Sequence, residues 1–192
     1  MSDIRNRSVL VVVDVQNGFI REASAPVVPV IADLVARWQR AGGDTVFTRY
    51  LNYEGSPFER LIGWSELMTS PQIDIVDELQ PYAAKATAVL DKYGYGLFAD
   101  KAGAALVAAR GWTDIYVCGI ATESCVLATC LGAFEADLNP WLIADASASH
   151  AGQRVHEAGI LVTQRFIGRG QIIKVEDVPS ALAKQSLERC DA

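Results

Sequence analysis

The sequence has no apolar run approaching the roughly 20 residues of a membrane-spanning helix. Its greasiest stretch, Val9-Leu10-Val11-Val12-Val13, is cut off at Asp14. A secretory leader would need a longer apolar segment followed by a small-residue cleavage site, so a cytoplasmic protein without a membrane partner is expected. Positive charge is in deficit. Lys and Arg number 17 against 23 Asp and Glu, for a net charge of −6, the wrong sign for a fold-wide nucleic-acid footprint. Histidine is scarce, with only His150 and His156, so a His-rich three-ligand metal centre cannot be assembled. The four cysteines, Cys118, Cys125, Cys130 and Cys190, include no C-x-x-C pair, which excludes a zinc ribbon or a thioredoxin-type dithiol and leaves reduced thiols as the expectation. No G-x-G-x-x-G turn follows the first apolar run, and a dinucleotide-binding reading is discounted. There is no internal repeat and no low-complexity tract.

What is present is a large apolar fraction, 51% of 192 residues, at a length that suits one domain. Short β-branched runs alternate with helical patterns. Strands are expected at Val9–Val13, Thr45–Thr48, Ala88–Leu90, Ile115–Cys118, Trp141–Ala144 and Ile172–Val175. Helices are expected at Ala32–Ala41, Asp100–Arg110, Thr122–Ala136, His150–Val162 and Pro179–Arg189, with Gly42-Gly43 and Gly111 as stops. Asn52–Pro71 reads as irregular. Continuous apolar strands argue for a parallel sheet buried on both faces, with helices on either side through right-handed crossovers. Ligands bind such sheets beyond the carboxyl ends of the strands. The polar residues placed there are Asp14, Arg49, Lys92, the Gly119–Cys125 segment and Asp145.

This set contains a carboxylate, an ammonium and a thiol. Thr122 is a plausible N-cap, which puts Cys125 in the first helical turn. The helix dipole and free N–H groups there favour thiolate, and a nearby Lys92 adds to that effect. Asp14 beside them is able to take the thiol proton and return it to a leaving amine. Backbone N–H groups at a strand-to-helix turn are able to hold an oxyanion. Each residue alone has an ordinary alternative: a buried small side chain for Cys125, a turn residue for Asp14, a solvated lysine for Lys92. Their shared place at three strand ends is what joins them.

The run Val12-Val13-Asp14-Val15-Gln16-Asn17-Gly18-Phe19 resembles the opening motif of the isochorismatase-like cysteine hydrolases. Gly119-Ile120-Ala121-Thr122-Glu123-Ser124-Cys125-Val126 resembles that family's nucleophile motif, and Lys92 in Asp91-Lys92-Tyr93-Gly94-Tyr95-Gly96-Leu97-Phe98 falls where the family's lysine is expected. The likeness runs from about Val9 to Ile173. It implies one isochorismatase-like hydrolase domain over residues 1–192, with an α/β three-layer α/β/α Rossmann-like fold around a six-stranded parallel sheet, usually in a homo-oligomer (dimer or tetramer). It implies Cys125 as nucleophile, Asp14 as general base and acid, and Lys92 as the charge favouring thiolate. It further implies a cis peptide between Ile120 and Ala121 that aims the Ala121 and Cys125 N–H groups at an oxyanion.

Departures from the family narrow the activity. Its nicotinamidases carry a metal site of Asp and His residues after the second strand, whereas Thr48–Glu54 here holds no histidine, and Glu123-Ser124 stands where Asp-His is common. No cofactor is expected. A retained cysteine points to C–N bond hydrolysis of a small-molecule amide, carbamoyl or ureido group. The alternatives are vinyl-ether hydrolysis of an isochorismate-like compound, or a silent binding or assembly protein on the same fold. Phe19, Trp64, Tyr95 and Phe98 either line a small substrate pocket or pack in the core or an interface. Arg49 either grips a substrate carboxylate or forms an ion pair. Asn52 is assigned to a turn, His150 to a helix start, Cys118 and Cys130 to packing, and Cys190 to the tail.

Overall fold

Strands and helices alternate through the chain, and the strand that leads into Asp14 lies in the interior of the sheet. The computed structural model describes residues 4–182. In chain order the elements are β1 (Ser8–Val13), α1 (Val27–Arg40), β2 (Asp44–Tyr50), α2 (Pro57–Ile62), α3 (Gln80–Ala83), β3 (Ala88–Lys92), α4 (Lys101–Arg110), β4 (Asp114–Ile120), α5 (Leu127–Glu135), β5 (Asn139–Ala148), α6 (Gln153–Ile167) and β6 (Ile172–Ile173). The six strands form one sheet in the order β3-β2-β1-β4-β5-β6, and every pairing is parallel.

The continuous apolar run of β1 is explained by its two buried faces. Side chains alternate across a strand, and here each parity meets a different helical layer. Leu10 and Val12 join Ile31, Leu34, Val35 and Trp38 of α1 in one core. Val9, Val11 and Val13 join Val107 of α4 and Cys130 and Ala133 of α5 in the other. The three-layer α/β/α arrangement follows from that alternation.

Register then sets the site. Val13 is opposite both Thr48 of β2 and Gly119 of β4, and Tyr50 is opposite Lys92 of β3. Asp14, Lys92 and the turn after Gly119 therefore share the carboxyl edge. Gly119, with φ of 123°, comes so close to β1 that an added Cβ would lie 2.2 Å from the Val13 carbonyl oxygen. No larger residue fits that crossing.

Several boundaries differ from those expected. The first helix begins at Val27, not Ala32, and β2 runs to Tyr50. Lys92 is the last residue of β3, not the residue after it. The strand expected at Trp141–Ala144 extends to Ala148, so Asp145 lies inside it and accepts the Val175 N–H at 2.8 Å. The expected Asn52–Pro71 irregular segment contains α2, whose start is capped by the Ser56 hydroxyl accepting the Glu59 N–H at 3.1 Å. The helix expected from His150 starts at Gln153, because Gly152 sits at φ 104° before it, and it continues to Ile167. The last strand is shorter, ending at Ile173. Of the helix expected at Pro179–Arg189, residues 179–182 form a turn and the rest lies outside the described residues. Cys118 and Cys130 are fully buried, as packing residues should be, and Cys190 lies outside the described residues.

Gly119→Ala should lower stability by at least about 2 kcal/mol, from a strained backbone and a displaced β1. Gly111→Ala, at φ 67° with nothing within 4 Å of an added Cβ, should cost only about 1 kcal/mol. Urea unfolding of the two variants checks the contrast.

Candidate active site

Asp14 directly follows β1, in the left-handed region at φ 50°, a conformation that Asp tolerates better than most residues. Its N–H donates to the Thr48 carbonyl at 3.2 Å. Its side chain is fully buried and satisfied on both oxygens: Oδ1 accepts the Thr48 hydroxyl at 2.6 Å and Oδ2 accepts Lys92 Nζ at 2.6 Å. The Lys92 ammonium also donates to the Gly94 and Tyr95 carbonyls at 2.9 and 2.7 Å. Its three protons therefore have three acceptors. Lys92 reaches across the end of β2 to do this, passing 5.5 Å from the centre of the Tyr50 ring.

Gln16 holds the floor beneath them. Its side-chain amide donates to the Tyr50 and Ile73 carbonyls at 3.0 and 2.8 Å and accepts the Tyr50 N–H at 2.8 Å. Thr129 of α5 plays the same part on the other side: it donates to the Cys125 carbonyl at 2.8 Å and accepts the Leu97 N–H at 3.1 Å. The loop that supplies carbonyls to Lys92 is thus tied to the helix that follows the cysteine.

Cys125 lies in a single π-helical turn, Thr122–Val126, that precedes α5. The Ile120–Ala121 peptide is cis. The Ser124 and Val126 N–H groups both donate to the Ala121 carbonyl, at 3.1 Å each, and the Cys125 N–H between them does not. Thr122 is not an N-cap as expected. Its hydroxyl instead meets His156 Nδ1 of α6 at 2.7 Å, which pins the turn to that helix. Gly159 of α6 permits this approach, since a Cβ there would sit 2.7 Å from the Glu123 nitrogen.

The electrostatics correct one expectation. Burial, followed by the Asp14 charge, pushes the Cys125 thiol upward, and Lys92 and the Ser124 hydroxyl only partly oppose this. Cys125 therefore keeps its proton at neutral pH instead of resting as thiolate. The reason is that an uncompensated thiolate in this dry site would face the Asp14 carboxylate. Lys92 behaves differently. Burial alone would lower it, but the attraction of Asp14 and then of Cys125 raises it above its ordinary value.

Above this cluster lies a cavity of about 400 Å³, the size of a small-molecule site. Phe19, Trp64 and Tyr95, expected as pocket residues, line it together with Cys125. Phe19 stacks on Trp64, with ring centres 5.8 Å apart. Two expected substrate residues are elsewhere. Arg49 makes a two-pronged ion pair with Asp91 at 2.7 and 2.9 Å and faces a separate hollow beside Asp74 and Gln80. Phe98 packs against Gly132 of α5 on the far core. Sheet parity separates them: Arg49 points away from Tyr50, and Phe98 lies beyond the loop that turns back to α5.

Asn52 is structural, as assigned. It accepts the Tyr50 and Ser56 hydroxyls at 3.0 and 2.7 Å and donates to the Trp64 and Glu66 carbonyls at 3.1 and 3.0 Å. It thereby shapes the loop that delivers Trp64. Tyr50, Phe58, Glu123 and His150 also line the cavity and were missed as pocket residues. The signal for Glu123 lay inside the cysteine motif itself. His150 is not at a helix start: its ring stacks on Phe19 at 5.4 Å. Burial lowers its pKa, so it is neutral at neutral pH. Among the described residues no three His, Cys, Asp or Glu side chains gather as metal ligands, and no helix is long and apolar enough to cross a membrane.

Two outcomes follow from the buried pair. Lys92→Met leaves the Asp14 charge without its partner and should destabilise the protein by about 3–5 kcal/mol, with part recovered when Asp14→Asn is added; denaturant titration reads both. Asp14→Asn alone removes the charge that opposes thiolate, so thiolate absorbance near 240 nm should appear at lower pH than in wild type.

A profile of the Isochorismatase domain matches residues 8–170. The fold is similar to that of a cysteine hydrolase from Pseudomonas syringae pv. phaseolicola 1448A, at TM-score 0.78 and 18% identity over 92% of this chain and 92% of that one. It is likewise similar to N-carbamoylsarcosine amidase from Thermoplasma acidophilum, at TM-score 0.74 and 22% identity over 90% and 98% of the two chains. Nicotinamidase from Bacillus subtilis aligns at TM-score 0.76 and 20% identity over 88% and 99%. A search of curated proteins found no match. With the domain profile spanning most of its length, the chain belongs to the isochorismatase-like hydrolase family.

Proposed function

We propose that the protein hydrolyses a C–N bond of a small amide, carbamoyl or ureido compound through a thioester on Cys125, without a metal. The observation that supports this most is a buried carboxylate paired with a fully hydrogen-bonded ammonium next to the one thiol among the described residues that lines a small aromatic cavity.

The steps use groups that lie close enough to couple electrostatically. Asp14 takes the thiol proton as Sγ attacks the carbonyl carbon, so charge separation in the dry site is confined to the moment of attack. The carbonyl oxygen becomes an oxyanion, and the Ala121 and Cys125 N–H groups are assigned to it. When the tetrahedral adduct collapses, the C–N bond breaks, and Asp14 returns the proton to the departing nitrogen. A water then attacks the thioester, giving its proton to Asp14, and the acid product leaves as Sγ recovers that proton. The net reaction consumes one water. Lys92 orients Asp14 throughout. Its raised pKa keeps it charged across the neutral range, and it offsets the negative charge as it moves from carboxylate to sulfur.

Intact-mass measurement after mixing with a pool of small amides, carbamates and ureido compounds tests the reading. Wild type should carry an acyl adduct or release ammonia or amine, and Cys125→Ala should do neither, with turnover reduced about a thousandfold or more. Full turnover in Cys125→Ala would sink the thioester route.

A further inference from the structure

Glu123 stands two residues before Cys125 and lines the same cavity. One of its oxygens, Oε1, accepts the Ser149 hydroxyl at 2.8 Å. The other, Oε2, is buried and has no hydrogen-bond partner among the described residues. Leaving a carboxylate oxygen dry and unpaired is unfavourable, yet the surroundings hold it there. The Ser149 oxygen is itself fixed by the Ala151 N–H at 3.0 Å, and the close approach of Gly159 clamps the Glu123 backbone.

The rest of the lining lacks positive charge. His150 is neutral, Arg49 is bound to Asp91 outside the cavity, and Lys92 has given its donors to Asp14 and two carbonyls. The remaining walls are mainly aromatic: Phe19, Tyr50, Phe58, Trp64 and Tyr95. Aromatic faces attract cations through their quadrupoles. A carboxylate-bearing ligand would meet Glu123 with no cation on the lining to neutralise it, whereas an ammonium would find one acidic acceptor and several aromatic faces.

We infer that Glu123 is the specificity-determining residue of this cavity, and that the substrate is a small amide whose non-scissile end carries a protonated amine. The amine pairs with the Glu123 carboxylate, the acidic side chain of the lining, and the apolar body lies among the aromatic rings while the carbonyl faces Cys125. This assignment rests on the Cys125 hydrolase reading above.

The test uses three ligands that differ only in charge: benzylammonium, benzyl alcohol and benzoate, titrated into wild type by calorimetry. Benzylammonium should bind about tenfold or more tightly than benzoate, with benzyl alcohol between them. Glu123→Gln, which keeps shape and removes charge, should bring the ratio close to one. If that variant does not fold, Glu123→Asp should weaken benzylammonium and leave benzoate unchanged. Equal or tighter benzoate binding, an unchanged ratio in Glu123→Gln, or binding of none of the three in the millimolar range would overturn the inference. Cleavage of p-nitrophenyl acetate by wild type against Cys125→Ala reads the nucleophile separately. Cysteine-dependent cleavage without the charge preference overturns this assignment alone. Charge preference without cysteine-dependent cleavage supports the ammonium site and overturns the hydrolase reading.

Discussion

The site depends on one buried ion pair, Lys92 to Asp14 at 2.6 Å, with almost no solvent on either side chain. Such a pair is not a source of stability by itself, because taking two charges out of water costs about as much as their attraction returns. Its value here is positional. It joins the end of β3 to the end of β1 across the end of β2, and the two loop carbonyls that complete the ammonium draw residues 94–95 inward with it. Thr48, Gln16 and Thr129 then fix the backbone on which the pair sits. Remove one charge and the other is left dry, so geometry and protonation state stand or fall together.

That arrangement also decides the resting state of the thiol. A helix start and a lysine would each favour thiolate, but burial and the facing Asp14 outweigh them. The Cys125 thiol thus lies buried beside a carboxylate that favours its protonated form.

The cavity above is built by a different principle. Asn52 organises the connection after β2 by five hydrogen bonds, and that connection brings Phe58 against Trp64 and stacks Trp64 on Phe19 from the segment after β1. The aromatic faces come from distant stretches of chain, whereas the Asp14–Lys92 pair comes from strand ends. A change of substrate preference therefore requires no change in the sheet.

By itself the sequence determined the layer architecture, because residues buried on both faces of a strand must be apolar, and a short β-branched run such as Val9–Val13, repeated between helical patterns, suits a buried parallel strand. It also pointed to Asp14, Lys92 and Cys125, because they sit at or just beyond the ends of apolar runs that parallel strands bring to one edge, and because the motifs around them resemble those of a hydrolase family. Tertiary structure decided the rest. Whether Arg49 or Tyr50 faces the cavity depends on pleat parity at the end of β2, which a one-residue shift reverses. Whether Phe98 lines the pocket or packs on Gly132, and whether His150 begins a helix or stacks on Phe19, depends on loop paths set by long-range contacts. The protonation of Cys125 was out of reach for the same reason. Residue type supplies the groups, but burial and the distances between charges set their pKa values, and those exist only in the folded chain.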